Sequence, residues 1–266
     1  MSAVNLASST RFGLTALRNV SEQMEVSQKR LATGKAVNTA LDNVSKFFTA
    51  SKMDGRAASI DTLLDSVNNA QTSLKAASEG IKGIQGIVKQ ARALTGQALA
   101  TSDTATRAAL ATQFTALTDE IAKVVTDSKI NGTNLLNAES ITVTLNEDGT
   151  SKTTIAGITI GTIAAPTDDW DTEAKIKASV DALNTFSTTL ETGATSFGTS
   201  QALISVRKDF NSALSNILKT GASELTAADM DAEAANLMAL QTRQQMASTA
   251  LSIMQTTEST ALRLLR

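Results

Sequence analysis

The 266-residue chain has no Cys, no His and no Tyr, with a single Pro and a single Trp. Each absence removes a class of chemistry. Disulfides, thiolate nucleophiles, zinc and haem ligation and the usual imidazole base are all excluded, leaving carboxylates and Lys as the remaining candidates for catalysis. No Ser, Lys or carboxylate group has the local context of a catalytic motif, so the sequence reads as non-enzymatic, with no cofactor and no metal. Aromatic residues make up 3% of a chain that is 42% hydrophobic. Burial must therefore come from Ala, Leu, Ile and Val, which suits long, close-packed helices better than a thick globular core. Charge of neither sign is in excess: 24 Lys and Arg stand against 26 Asp and Glu, for a net −2. There is no general attraction to nucleic acid or to an anionic membrane, and no basic run with interleaved aromatics. No segment approaches the roughly 18 continuous apolar residues of a membrane span. The N-terminal stretch, MSAVNLASSTRFGLTALRNV, has no basic start followed by an apolar run and does not read as a cleaved secretory signal.

What is present is periodicity, most tellingly at the two ends. From Ala227 to Arg266 the chain opens with Asp229, Asp231 and Glu233, where a helix N-terminus favours negative charge. Apolar residues then follow at three- and four-residue steps: Leu237, Leu240, Ala247, Leu251, Met254, Ala261 and Leu265. The other end carries a matching stripe, with Leu6 and Leu14 followed by Leu17, Val20, Met24 and Leu31. Two such helices can pair as a coiled coil although the rest of the protein lies between them in sequence. Each buried Leu contributes roughly 1.5–3 kcal/mol, while ordering each residue costs about 1–2 kcal/mol, so two lone terminal helices come out near zero. Two readings follow: ordinary helices of a monomeric bundle, or termini that order when copies of the molecule cover their outer faces.

Between the ends, the spacing predicts a first helix over about 3–32 ending at Gly34, a connector from Lys35 to Leu41, and a second helix capped by Asp42 or Asn43. That second helix has the most regular stripe in the chain, Ile60, Val67, Leu74, Ile81 and Val88 interleaved with Leu63, Ala70, Ala77, Ile84 and Ala91. A seven-residue period held this long indicates a coiled-coil seam. Gly80, Gly83 and Gly86 interrupt it, either for close helix approach or as a locally soft stretch. A turn over Thr101–Thr106, with Asp103 or Thr104 as cap, leads to a return helix carrying Leu110, Phe114, Leu117, Ile121 and Val124, ended by Asn131-Gly132. Alternating Thr and Ile or Val in Ile141–Leu145 and Thr153–Ile160, with Asn146–Gly149 between, predict a hairpin that packs on the helices. Pro166 lies in the acidic loop that follows, closed by Trp170; Asp168, Asp169, Asp171 and Glu173 lack the spacing and turning Gly of a calcium loop and read as a solvated loop and cap. Helix resumes near Thr172 with Ile176, Val180, Leu183 and Leu190, then Leu203, Val206, Phe210, Ala213 and Ile217. Gly193 and Gly198 shift the phase and by themselves suggest two helices. Gly221 and Ser223–Thr226 form the expected joint to the terminal helix.

Leu31, Thr33, Gly34, Lys35, Val37, Asn38, Ala40 and Asp42, within LATGKAVNTALD, match the pattern that ends the N-terminal helix of bacterial flagellins. The acidic start, the Gln-rich middle at Gln241, Gln244 and Gln245 and the terminal LRLLR are similar to the flagellin C-terminal helix. The resemblance fades between about 138 and 171. It implies a mainly α fold: a long antiparallel helical bundle or coiled coil built by the N- and C-terminal halves, with one β-hairpin. It also implies a single helix through Gly193 and Gly198. The implied division is residues 1–43 with 227–266 as an inner helical layer, and 44–226 as an outer helical domain with its hairpin near 139–165.

The function implied is that of a short flagellin, a structural subunit that polymerises into the extracellular flagellar filament for swimming motility. Its implied partners are other flagellin subunits, an export chaperone, the flagellar type III export apparatus, and the junction and cap proteins. The seam residues would be Leu6, Leu14, Leu17, Met24, Leu31, Leu237, Leu240, Leu251, Met254 and Leu265, with Leu237 to Leu265 the surface a chaperone masks. A hook–filament junction protein shares the terminal pattern, but usually has proline-flanked Asp residues where this chain reads Asn38-Thr-Ala-Leu-Asp42. A secreted membrane-binding translocator would flank its apolar face with Lys and Arg, whereas Gln, Thr and Ser flank this one. In the helix segment that the animal innate-immune receptor recognises in many flagellins, Gln90 replaces an Arg and Ala93 an acid, which argues against strong receptor binding. Many flagellins also carry sugars on outer-domain Ser or Thr, residues abundant here over 142–154 and 185–200.

Overall fold

The computed structural model describes residues 8–264. Long amphipathic stretches with few breakers give five helices: α1 (Ser8–Thr33), α2 (Val44–Ala100), α3 (Thr104–Asp127), α4 (Glu173–Thr226) and α5 (Met230–Leu264). Strands β1 (Ile141–Thr144) and β2 (Lys152–Ile155) pair antiparallel with Ile141 opposite Ile155. The chain divides into two compact units, residues 1–55 with 217–266 and residues 56–216.

In the second unit, α2 supplies the central stripe. All ten stripe residues from Ile60 to Ala91 are buried. Across α2 and α4, Ser215 bonds Asp61, Ile81 approaches Gly193, and Arg92 bonds Ser187, a falling separation that makes the pair antiparallel. Helix α3 starts where Asp103 accepts the Thr106 amide at 2.8 Å, and Arg107 ties it back to the carbonyls of Ala98 and Thr101. Its far end approaches Gly80, where a Cβ would strike the Ser128 hydroxyl and sit 2.8 Å from a Leu136 methyl. Close approach is thus the reason for Gly80, whereas nothing lies within 4 Å of a Cβ at Gly86. Asn131 and Gly132, both at positive φ, form a tight turn closed by mutual bonds between Ile130 and Thr133.

The hairpin packs as its alternation requires: Val143, Leu145 and Ile155 join the core. The second strand is shorter than the Thr153–Ile160 pattern suggests. Beyond Ile155 the chain leaves β1, and the Ile158 and Ile160 amides donate to the carbonyls of Leu135 and Leu136. Gly157 makes this possible, since a Cβ there would meet the Glu139 carbonyl. Trp170 is fully buried, its Nε1 donating to Ser179 Oγ at 2.9 Å and its ring edge-on to Phe114 at 5.1 Å. The acids flanking it form a solvated turn around Lys175, which pairs with Asp168 and Asp171.

Helix α4 runs unbroken through Gly193 and Gly198. Gly193 admits Ile158 against the helix. Past it, the buried face is not the apolar one the spacing suggests: Leu203, Val206, Phe210 and Ile217 are exposed. Ile204, Asn211, Ser215 and Leu218 face inward instead. Hydrogen bonds override hydropathy here, because Asn211 Nδ2 donates to the Leu145 carbonyl at 3.3 Å and Ser215 Oγ to Asp61 at 2.7 Å. The joint before α5 also falls later than Gly221–Thr226, at residues 227–229, because α4 continues past Gly221, which packs near Met53.

Candidate self-assembly seam

Helices α1 and α5 pack antiparallel, with Gly13 against Leu251 and Met254 at one end and Ser27 and Arg30 against Glu233 at the other. Between α1 and α2, the Leu31–Asp42 segment winds into a hydrogen-bonded loop. Gly34 takes φ +67 just past the α1 terminus, the left-handed conformation that glycine adopts without strain. Asp42 Oδ2 accepts the amides of Asn38 and Thr39 and the Thr39 hydroxyl, and these bonds, led by the Thr39 amide, hold the carboxyl below its ordinary value. Asn43 then caps α2 through the Lys46 amide. The loop clamps the α4–α5 joint: Ala36 N and Val37 N donate to Thr226 O, and Ala228 N donates to Gly34 O. The residues shared with the flagellin pattern therefore build one joint that fixes where α1 and α5 begin to pair.

Asp229 caps α5 by accepting the amides of Asp231 and Ala232. Glu233, one turn on, accepts from Arg30 at 2.8 Å and Ser27 at 2.9 Å, while Asn236 Nδ2 donates to Ser27 Oγ at 3.1 Å. Arg30 first, then Ser27, lowers the Glu233 pKa from its ordinary value. This polar knot sets register, since a one-turn slip would leave a partly buried carboxylate without its cation.

The described residues of the expected seam lie on these two helices. Leu240 is buried, and Leu14, Leu17, Met24, Leu31, Leu237, Leu251 and Met254 are half-buried. The side chains of Leu6, Ala261 and Leu265 lie outside the described residues. Sequence periodicity missed a second apolar set on the outward side of the pair: Phe12 is 77% exposed, Met238 68%, Met246 60% and Ile253 61%. Met246 and Ile253 border a shallow groove with Thr242, Thr249 and Ala250. Their eight- and seven-residue spacing was visible, but Thr and Gln between them dilute the stripe. What two paired amphipathic helices with uncovered apolar residues can do is bind more helix.

These features define a helical protein whose first and last helices, α1 and α5, pair with each other while keeping apolar surface uncovered. Residues 4–140 match the family model for the bacterial flagellin N-terminal helical region, and residues 180–265 match that for the C-terminal helical region. Flagellin FljO of Caulobacter vibrioides is 30% identical over 100% of this chain and 99% of its own length, and Flagellin FljK of the same organism is 30% identical with the same coverage. A Brucella melitensis flagellin is 26% identical over the whole of both chains. A crystal structure of Bacillus cereus flagellin aligns with 54% of this chain and 86% of its own at a TM-score of 0.49 and 17% identity.

The chain belongs to the bacterial flagellin family. It is a short flagellin, a structural subunit of the extracellular flagellar filament that polymerises with other flagellin subunits for motility. The junction-protein and membrane-translocator readings are not favoured beside relatives that are flagellins along the whole chain.

Proposed function

We propose that the α1–α5 pair is the surface through which this flagellin polymerises, with Leu6, Leu14, Leu17, Met24, Leu31, Leu237, Leu240, Leu251, Met254 and Leu265 forming the seam. The observation that carries this reading is that α5 is apolar on two sides. One side meets α1, and the other, at Met238, Met246 and Ile253, is left to solvent. A solvent-facing row of large apolar residues is a binding surface or an aggregation liability, and a filament subunit turns it into a subunit contact. The same surface explains the need for an export chaperone: α5 left bare in the cytoplasm would nucleate polymers before export through the flagellar type III apparatus. Junction and cap proteins would meet the same helical ends at the two limits of the filament. The protein works by assembly and carries no catalytic role.

Seeding purified protein with filament fragments and imaging by electron microscopy tests the reading. Long filaments are the expected result. Short capped assemblies, or avid binding to lipid vesicles without polymer, would contradict it.

A further inference from the structure

Four of the seven methionines lie on α5, at Met230, Met238, Met246 and Met254, separated by equal steps of eight residues. Each step carries the next thioether about 80° further round the helix, so the four are spread around it. Met230, Met238 and Met246 are exposed, whereas Met254 is half-buried close to Gly13. A thioether is a redox group as well as an apolar one, and here it has few rivals: the chain has no Cys, His or Tyr, and its single Trp is fully buried. Among the described residues, the outward methionines of α5 are thus the readily oxidised side chains that a peroxide meets first.

We propose that Met238 and Met246 are oxidation sites through which hydrogen peroxide and related two-electron oxidants stop the addition of subunits, an inference that rests on the α1–α5 pair being the polymerising surface. The sulfur lone pair attacks one peroxide oxygen and the O–O bond breaks. The departing hydroxide takes the proton of the transferred oxygen and leaves as water; sulfur gives up two electrons, the peroxide gains them, and the product is the sulfoxide. Side-chain length is kept, but an apolar sulfur now carries a strongly polar S=O. Covering that group with the apolar surface of a neighbouring subunit strips away its water, and the desolvation opposes the contact. Assembly acts on the chemistry in the opposite sense, because a thioether covered in the polymer is shielded from peroxide. Free subunits are therefore sensitive and finished filament resistant, so an oxidant arrests growth without dissolving what is already built.

The test treats the unpolymerised full-length chain with hydrogen peroxide until peptide mass spectrometry shows Met238 and Met246 converted, removes the peroxide, and offers the protein to untreated seeds. Elongation should fall by about ten-fold. Methionine sulfoxide reductases acting on both sulfoxide epimers should restore it. A chain carrying Met238→Leu and Met246→Leu should keep most of its own growth after the same treatment, which separates these two sites from Met24 and Met254 on the seam. Met238→Gln with Met246→Gln, which brings in a polar side chain of similar helix propensity without any oxidant, should slow elongation as oxidation does. At the same dose, sedimented filaments should retain both thioethers. Oxidised chain that elongates as fast as untreated chain, a Gln variant that does so, or a Leu variant that loses as much growth on treatment as the unmodified protein would each overturn the oxidation sites while leaving the filament reading intact. Failure of the untreated, unmodified chain to elongate seeds would overturn both.

Discussion

At Glu233 a single carboxylate holds two helices in register. Its pKa is depressed in the paired state, so the stabilisation it brings is fully present above the ordinary glutamate range and is lost as pH falls through the lowered value. Glu233→Gln should therefore weaken assembled filaments most near neutral pH, and the gap from the unmodified protein should close on acidification below pH ~4. Turbidity or sedimentation of filaments of both proteins across that range measures the gap; a constant gap would rule out the charge as the origin. The glycines of α2 make a second residue-level case, because two of them call for opposite outcomes. Gly86→Ala removes backbone freedom without meeting another atom and should raise the stability of the second unit by about 0.5–1 kcal/mol. Gly80→Ala drives a methyl into Ser128 and Leu136, and the overpacking, about 1–3 kcal/mol, should exceed the same propensity gain. Urea denaturation of the two variants gives both signs.

At the scale of elements, the hairpin and the segment after it are held to the helices by buried side chains, and Trp170 closes that layer against Phe114 and Ser179. Trp170→Ala should cost about 3–5 kcal/mol. As the only Trp, it also reports the same unit by fluorescence in the unmodified chain, so emission should shift to the red in one step with loss of helix signal on denaturation. The elements also show what a sequence can disclose. The α2 stripe was fully legible because ten apolar positions in heptad phase leave one way to bury them. The caps at Asn43 and Asp103 were narrowed to two neighbouring residues each, since either neighbour carries a capping oxygen. The inner face of α4 was not legible, because Asn211 and Ser215 enter the interior through partners, Leu145 and Asp61, that no periodicity identifies. The continuity of α4 through Gly193 came from family resemblance, while local pattern pointed to a break. The outward apolar set on α5 was missed because a stripe three residues wide, interrupted by Thr, ranks below the better-filled seam beside it.

For the molecule as a whole, the antiparallel pairing of α1 with α5 joins segments from the two halves of the chain in the first compact unit, while that of α2 with α4 lies in the second, built from the middle of the chain. The α1–α5 pair depends most on company. Its proposed seam is mostly half-buried and its outer side carries exposed apolar residues, so on the proposed reading neighbouring subunits add the burial that offsets the ordering of the two helices. Leu251, which meets Gly13 within the first unit, tests this. Leu251→Asp places a charge in a half-buried apolar contact and should abolish filament growth from seeds while the Trp170 emission stays native.

The most direct measurement of the central claim is backbone hydrogen exchange read peptide by peptide in dilute monomer and in seeded filaments. Amides of α1 and α5 should exchange rapidly in the monomer, those of α2 near Val67–Ile84 slowly, and the terminal helices should gain protection only in the polymer. Monomer in which α1 and α5 are already as protected as the middle of α2, with no further gain on polymerisation, would contradict coupled ordering and assembly at this seam.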